Sequence, residues 1–186
     1  MRWTFRSGVL GVATFALAHA TAASGQVAEH PFLATALTFC RANHSRAAGV
    51  LAAADGAGWR TAPMTMAGMQ MRAKVIDGKR QTLIVMTMPI ALGGGVNVVA
   101  HLCQVGGSAP IGDVQASVRA FMGGRAPIGS GNFVEWYFTE RDGRREFLPD
   151  DSPATMATAL KVGPITAVHV PSLGTYVMYN EIVAAP

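Results

Sequence analysis

The two cysteines of this chain, Cys40 and Cys103, place the strongest constraint on what it can fold into. Redox-active pairs usually lie close together, as in C-x-x-C, whereas these two are far apart in the sequence. In an exported protein, such a pair predicts one structural disulfide. That bond would tie the segment around Cys40 to the segment around Cys103. The alternatives are two buried free thiols, or a redox or metal-binding role.

The start of the chain predicts export. Arg2 and Arg6 give a positive beginning, and a short apolar run and small residues follow, with two A-x-A sites between Ala18 and Ala22. These features are typical of a secretory signal peptide, which we assign to residues 1–22. Export would place the remaining chain in the periplasm or outside the cell, where thiols can pair. No cysteine lies near the cleavage region, so we expect no lipid anchor.

The composition is that of a folded protein. Half of the residues are hydrophobic and 14% are charged, unlike the low hydrophobicity and high charge of disordered chains. The net charge of +4 is too small for a nucleic-acid-binding face, and two of the positive residues leave with the signal. No stretch after the signal is long and apolar enough for an integral membrane segment. We therefore divide the chain into the signal (1–22), a polar leader (23–30) and one exported domain (31–186).

The pattern of apolar residues predicts an α+β fold. Hairpin connections dominate, so we expect a mostly antiparallel sheet of about six or seven strands with helices packed on it. Ser45 is expected to cap the second helix, Gly56 to end it in the left-handed conformation, and Pro89 to end a strand. The predicted helices span 31–43, 46–55, 113–122 and 153–160, and the predicted strands span 69–76, 81–88, 96–105, 132–140, 144–148, 165–170 and 175–183.

Methionines are concentrated in one hairpin. Strand 69–76 and strand 81–88 flank Asp77-Gly78, a turn signal. A loop of two or four residues places methionines of both strands on one face; with four residues, Met71 opposes Met86 and Met69 opposes Met88. The six residues of this segment are Met64, Met66, Met69, Met71, Met86 and Met88.

The M-x-M and M-x-x-M spacings in residues 64–71, with residues 86–88, resemble those in methionine-rich segments of exported bacterial copper-handling proteins. The resemblance implies a Cu(I) site, because thioether sulfur is a soft ligand that prefers Cu(I). The segment departs from those proteins in having no nearby histidine. Two other interpretations remain open: core packing, and an adaptable apolar binding surface.

Catalytic motifs are absent from the sequence. The dispersed histidines form no zinc-binding pattern, and Ser130 lies outside a G-x-S-x-G motif. His101 is expected to be a hydrogen-bonded core residue. Glu135 is expected to face solvent, although a buried Glu135 would be a site candidate. An enzyme site would require two or more of His101, His169, Glu135 and Ser130 within hydrogen-bond reach in a pocket.

These observations favour an exported, non-enzymatic protein that binds a small apolar ligand or a protein partner. The first alternative is a Cu(I)-binding protein that uses the methionine segment, and Cu(I) is the one cofactor considered. The second alternative is a hydrolase-like enzyme whose site is assembled from distant residues. No residue is assigned a catalytic role.

Overall fold

Antiparallel hairpins build a single sheet. A computed structural model describes residues 30–63, 67–108, 111–128, 132–171 and 175–186. The described strands are β1 (Arg60–Ala62), β2 (Met69–Ile76), β3 (Lys79–Gly93), β4 (Val96–Gly107), β5 (Phe133–Arg141), β6 (Arg144–Phe147), β7 (Ile165–Pro171) and β8 (Tyr176–Ala184). They form one eight-stranded antiparallel sheet in the order β1-β2-β3-β4-β8-β7-β5-β6. The fold is therefore a single α+β domain, with eight strands rather than six or seven.

The helices lie on both faces of the sheet. They are α1 (Pro31–Thr35), α2 (Ala47–Gly56), α3 (Ile111–Phe121) and α4 (Pro153–Leu160), and α1 continues into a π-helical turn (Ala36–Cys40) and a 3₁₀ turn (Arg41–Asn43). Residues of α1, α2 and α3 share one buried cluster with Leu83 and Cys103, so this side is called the helix face. Met156 of α4 packs in a second cluster on the opposite side, called the open face.

The predicted disulfide is confirmed. Cys40 and Cys103 are bonded, with their Cα atoms 5.7 Å apart, and both side chains are fully buried. The bond links the π-helical turn to β4, a strand at the centre of the sheet. The bond therefore ties the segment around Cys40 to the segment around Cys103, as predicted, and holds the end of the first helix over the face of β4 that carries Cys103.

The hairpin turns fix the strand register. Asp77 and Gly78 have φ angles of 50° and 74°, the left-handed values that a two-residue type I′ turn requires. Ile76 therefore pairs with Lys79, and Met69 pairs with Met86. The register that follows from a four-residue loop is wrong, but either loop length places the methionines on one face.

Four local expectations are corrected by the structure. Strand β1 was not expected. Strand β3 does not end at Pro89 but continues through it. At this position β2 is no longer paired with β3, so the proline removes no hydrogen bond to β2. Ser45 does not cap α2, since the cap residue is Arg46 and has no side-chain capping bond. The left-handed glycine after α2 is Gly58 rather than Gly56.

The predicted signal peptide, residues 1–22, lies outside the described residues, as does most of the predicted leader. None of the helices formed by the described residues is long and apolar enough to cross a membrane.

Candidate functional site

A cavity of about 510 Å³ lies on the helix face, beside the 3₁₀ turn that follows α1. Its volume falls within the range of small-molecule sites. Strands β5, β7 and β8 form its floor, and the turn forms one wall. The lining residues are Leu37, Arg41, Ala42, His44, Glu140, Pro164, Thr166, Tyr179 and Glu181.

The wall of the cavity is a strained turn. His44 and Ser45 both have positive φ angles, 52° and 53°, in a region that non-glycine residues rarely adopt. Each such residue costs of order 1–3 kcal/mol and persists only where the surrounding structure imposes it, and such strain is concentrated at functional sites. Two contacts impose it here: the disulfide at Cys40 and a buried hydrogen bond of 2.5 Å from Ser45 Oγ to the carbonyl oxygen of Tyr179.

Glu181 is the most unusual group in the cavity. Its side chain is only 8% exposed, although it carries a carboxyl group. Oε1 lies 2.9 Å from His44 Nδ1, whereas Oε2 is buried and receives no hydrogen bond from the described residues. Arg46 Nε lies 3.5 Å from Oε2, close enough for an ion pair but without hydrogen-bond geometry. A buried carboxylate oxygen without a hydrogen-bond donor carries an uncompensated desolvation cost.

Each carboxylate of the cavity has a guanidinium partner. Arg41 forms a 2.6 Å ion pair with Glu140, and Arg46 is near Glu181. Arg41 is 41% exposed and retains further N–H donors. Burial raises the pKa of Tyr179 to about 12, so its hydroxyl stays neutral at the cavity floor. The site can therefore bind a ligand that carries both a donor and an acceptor group.

No family model, curated protein or solved structure matches this chain. No motif in the sequence points to Glu181, Arg41 or Arg46. One sequence signal, short of a motif, points to Glu181. It follows Val177 and Tyr179 at two-residue intervals in β8, so strand alternation places its side chain on the same inward-facing side as those two apolar residues. No local pattern indicates that the turn around His44 lies against it.

Glu135 and His169 come together on the open face. His169 Nδ1 lies 3.4 Å from Glu135 Oε1, and the Tyr137 hydroxyl donates a 2.8 Å hydrogen bond to Glu135 Oε2. The hydrogen bond from His169 is the largest cause that holds the pKa of Glu135 below its usual value; burial opposes it, and the Tyr137 bond adds to it. The expectation that Glu135 faces solvent is therefore wrong, since its side chain is 19% exposed.

The other residues considered for an enzyme site do not join this pair. His101 lies on the helix face, where its Nδ1 is 3.1 Å from Thr87 Oγ1, and it is half-buried rather than in the core. Ser130 lies outside the described residues. The cavity beside Arg41 and two further cavities, near Trp136 and Arg60, include neither Glu135 nor His169. Glu135 and His169 therefore lie as close together as an enzyme site would require, but neither residue lines any of these three cavities.

The predicted metal ligands divide into two groups. Met69, Met71 and Met86 are half-buried on the open face, and Met88 is 36% exposed there. None of these four belongs to either buried cluster. Met64 and Met66 lie outside the described residues.

Proposed function

We propose that this protein is an exported binding protein whose cavity beside Glu181 takes a small zwitterionic molecule of the α-amino-acid class. The observation that carries the proposal is Oε2 of Glu181, a buried oxygen without a hydrogen-bond donor. The exposed Arg46 guanidinium lies 3.5 Å from this oxygen, and an ammonium group of the ligand would take its place and supply the missing donor. The predicted signal peptide supports export, and the disulfide is compatible with the periplasm or the exterior.

The paired charges support a zwitterion. Each carboxylate that lines the cavity has a guanidinium partner, so a ligand with one group of each sign can pair with both kinds of charge. The exposed N–H groups of Arg41 can pair with the ligand's anionic group while Glu181 holds its ammonium group. Leu37, Ala42 and Pro164 would contact a short apolar side chain.

This ligand class differs from the small apolar ligand or protein partner expected above. An apolar ligand would leave Oε2 of Glu181 without a donor, as it is in the free protein, and would gain nothing from this group. A protein partner remains compatible with the exposed surfaces, but nothing on them indicates its chemistry. Binding rather than catalysis is proposed because the lining, as far as the chain is described, offers no serine, cysteine or lysine; its hydroxyl groups belong to Thr166 and to Tyr179, which burial keeps neutral.

The test is a thermal-shift screen of the wild-type protein and Glu181→Gln. The panel contains the common α-amino acids, short alkylamines and polyols, each at about 1 mM, a concentration that detects weak and moderate affinities. We expect at least one amino acid to raise the melting temperature of the wild type, because a ligand that binds only the folded state stabilises it. The shift should disappear in Glu181→Gln.

Glu146→Gln is the matched control, since it makes the same change at an exposed carboxylate that does not line the cavity. It should respond as the wild type does. A shift that persists in Glu181→Gln would place the ligand elsewhere. Stabilisation by alkylamines or polyols alone would contradict the zwitterion, and no shift with any probe would contradict the whole proposal.

A further inference from the structure

A second candidate site lies on the open face, away from Glu181. Met69, Met71, Met86 and Met88 form a methionine patch on β2 and β3. Met69 and Met86 are direct cross-strand partners. Met71 lies two residues along β2 and Met88 two residues along β3, each diagonal to the central pair. The register therefore places four methionines in one row on this face, with Met69 and Met86 at its centre and Met71 and Met88 on either side.

The patch is accessible rather than part of the core. Met69, Met71 and Met86 are half-buried, Met88 is 36% exposed, and all four lie outside both buried clusters. Among the described helices, α4 lies on this side, and its Met156 packs with Val98 and Ile165, farther across the sheet. Core packing, the simplest interpretation of the sequence, therefore does not account for these side chains.

We propose that the methionine patch binds one Cu(I) ion. Directly opposed residues of an antiparallel pair have Cβ atoms about 4.5–5.5 Å apart, and diagonal neighbours lie about 7–8 Å apart. The methionine side chain has three rotatable bonds, so sulfurs at these separations can converge on one ion without movement of the backbone. Met69 and Met86 supply the central ligands, and Met71 or Met88 supplies a third.

The donor set selects for the ion. Thioethers are neutral, soft ligands that suit Cu(I), whereas zinc and harder divalent cations prefer imidazole, thiolate or carboxylate. The part of the chain that the structure describes contains no group of three or more His, Cys, Asp and Glu side chains able to hold a metal. Cu(I) binds as the reduced ion and leaves unchanged, so the site requires no redox step.

The test is competition for Cu(I) against a chromophoric chelator, with the oxidised, mature protein under anaerobic conditions. We expect one Cu(I) per chain with sub-micromolar affinity. Met69→Leu and Met86→Leu should each weaken binding at least about tenfold; leucine has nearly the volume of methionine, so these variants keep the fold. Met178→Leu is the matched control, because Met178 lies on the same face but in β8, two strands beyond β3.

A second measurement locates the ion directly. Silver(I) is a redox-inert probe of thioether sites, and the ε-methyl signals of Met69 and Met86 should shift on its addition. The signals of the buried Met122 and Met156 should not shift. Unchanged affinity in the Met69→Leu/Met86→Leu double variant would overturn the proposal, as would the wild type's failure to withdraw Cu(I) from the chelator. Because Glu181 lies on the opposite face, neither result depends on ligand binding there.

Discussion

Glu181 carries a carboxylate, which is best solvated by water, at a position that is buried. Strand alternation places it in line with Val177 and Tyr179, so an inward-facing carboxylate could be predicted from the sequence. Its partner His44 lies 137 positions away, and no local pattern joins residues at that distance. The left-handed backbone at His44 and Ser45 was equally hidden, because neither residue type signals it. The cavity therefore could not be predicted from the sequence.

Glu135, also a single residue, gives a prediction about how the stability of the protein depends on pH. The hydrogen bond from His169 holds the pKa of Glu135 below its ordinary value of 4.5, against the opposing effect of burial. A carboxyl group whose pKa is lowered by folding stabilises the folded state. This stabilisation is complete at pH values above the pKa of the unfolded state and is lost as the pH falls through the pKa of the folded state. The free energy of unfolding should therefore decrease as the pH falls below about 4.5, and less steeply in Glu135→Gln.

Urea denaturation of both proteins at a series of acidic pH values measures this difference. Glu146→Gln serves again as the control and should follow the wild type. Parallel curves for Glu135→Gln and the wild type would show that Glu135 has no depressed pKa in the folded protein.

At the scale of elements, the β2–β3 hairpin shows how far a local pattern reaches. Alternation and the Asp77-Gly78 signal predicted β2 with its observed ends and the shared face of the methionines. The turn length was left open, and the structure fixes it at two residues. What the pattern could not predict is which face the helices cover, because that depends on contacts between distant elements.

The disulfide joins two such elements, and its removal gives a prediction. Cys40→Ala/Cys103→Ala should lower the free energy of unfolding by about 2–4 kcal/mol, because the open chain gains conformational entropy when unfolded. Urea denaturation measures this loss. Amide exchange in residues 41–46 should also become faster, since the bond holds the cavity wall against β4. Unchanged stability and exchange would contradict this role of the bond.

At the scale of the whole molecule, strand order was the main feature that the sequence could not supply. The hairpins β2–β3, β3–β4, β5–β6 and β7–β8 join neighbours along the chain. The pairing of β4 with β8, and of β5 with β7, joins strands separated by other elements. These two pairings join the two halves of the sheet and bring Glu140 and Glu181 to one cavity. The fold class followed from local patterns, but the site depends on these long-range pairings.

The most direct measurement is the free energy of unfolding of Glu181→Gln without ligand, compared with that of the wild type. Glu181 pairs with His44 and Arg46, whose side chains are 72% and 64% exposed, and such pairs contribute about 0–1 kcal/mol. Removing the buried charge also removes its desolvation cost. If Glu181 is retained for a ligand, the variant should be as stable as the wild type or more stable. A loss of more than about 2 kcal/mol would show that the carboxylate serves the fold, and would contradict the proposed site.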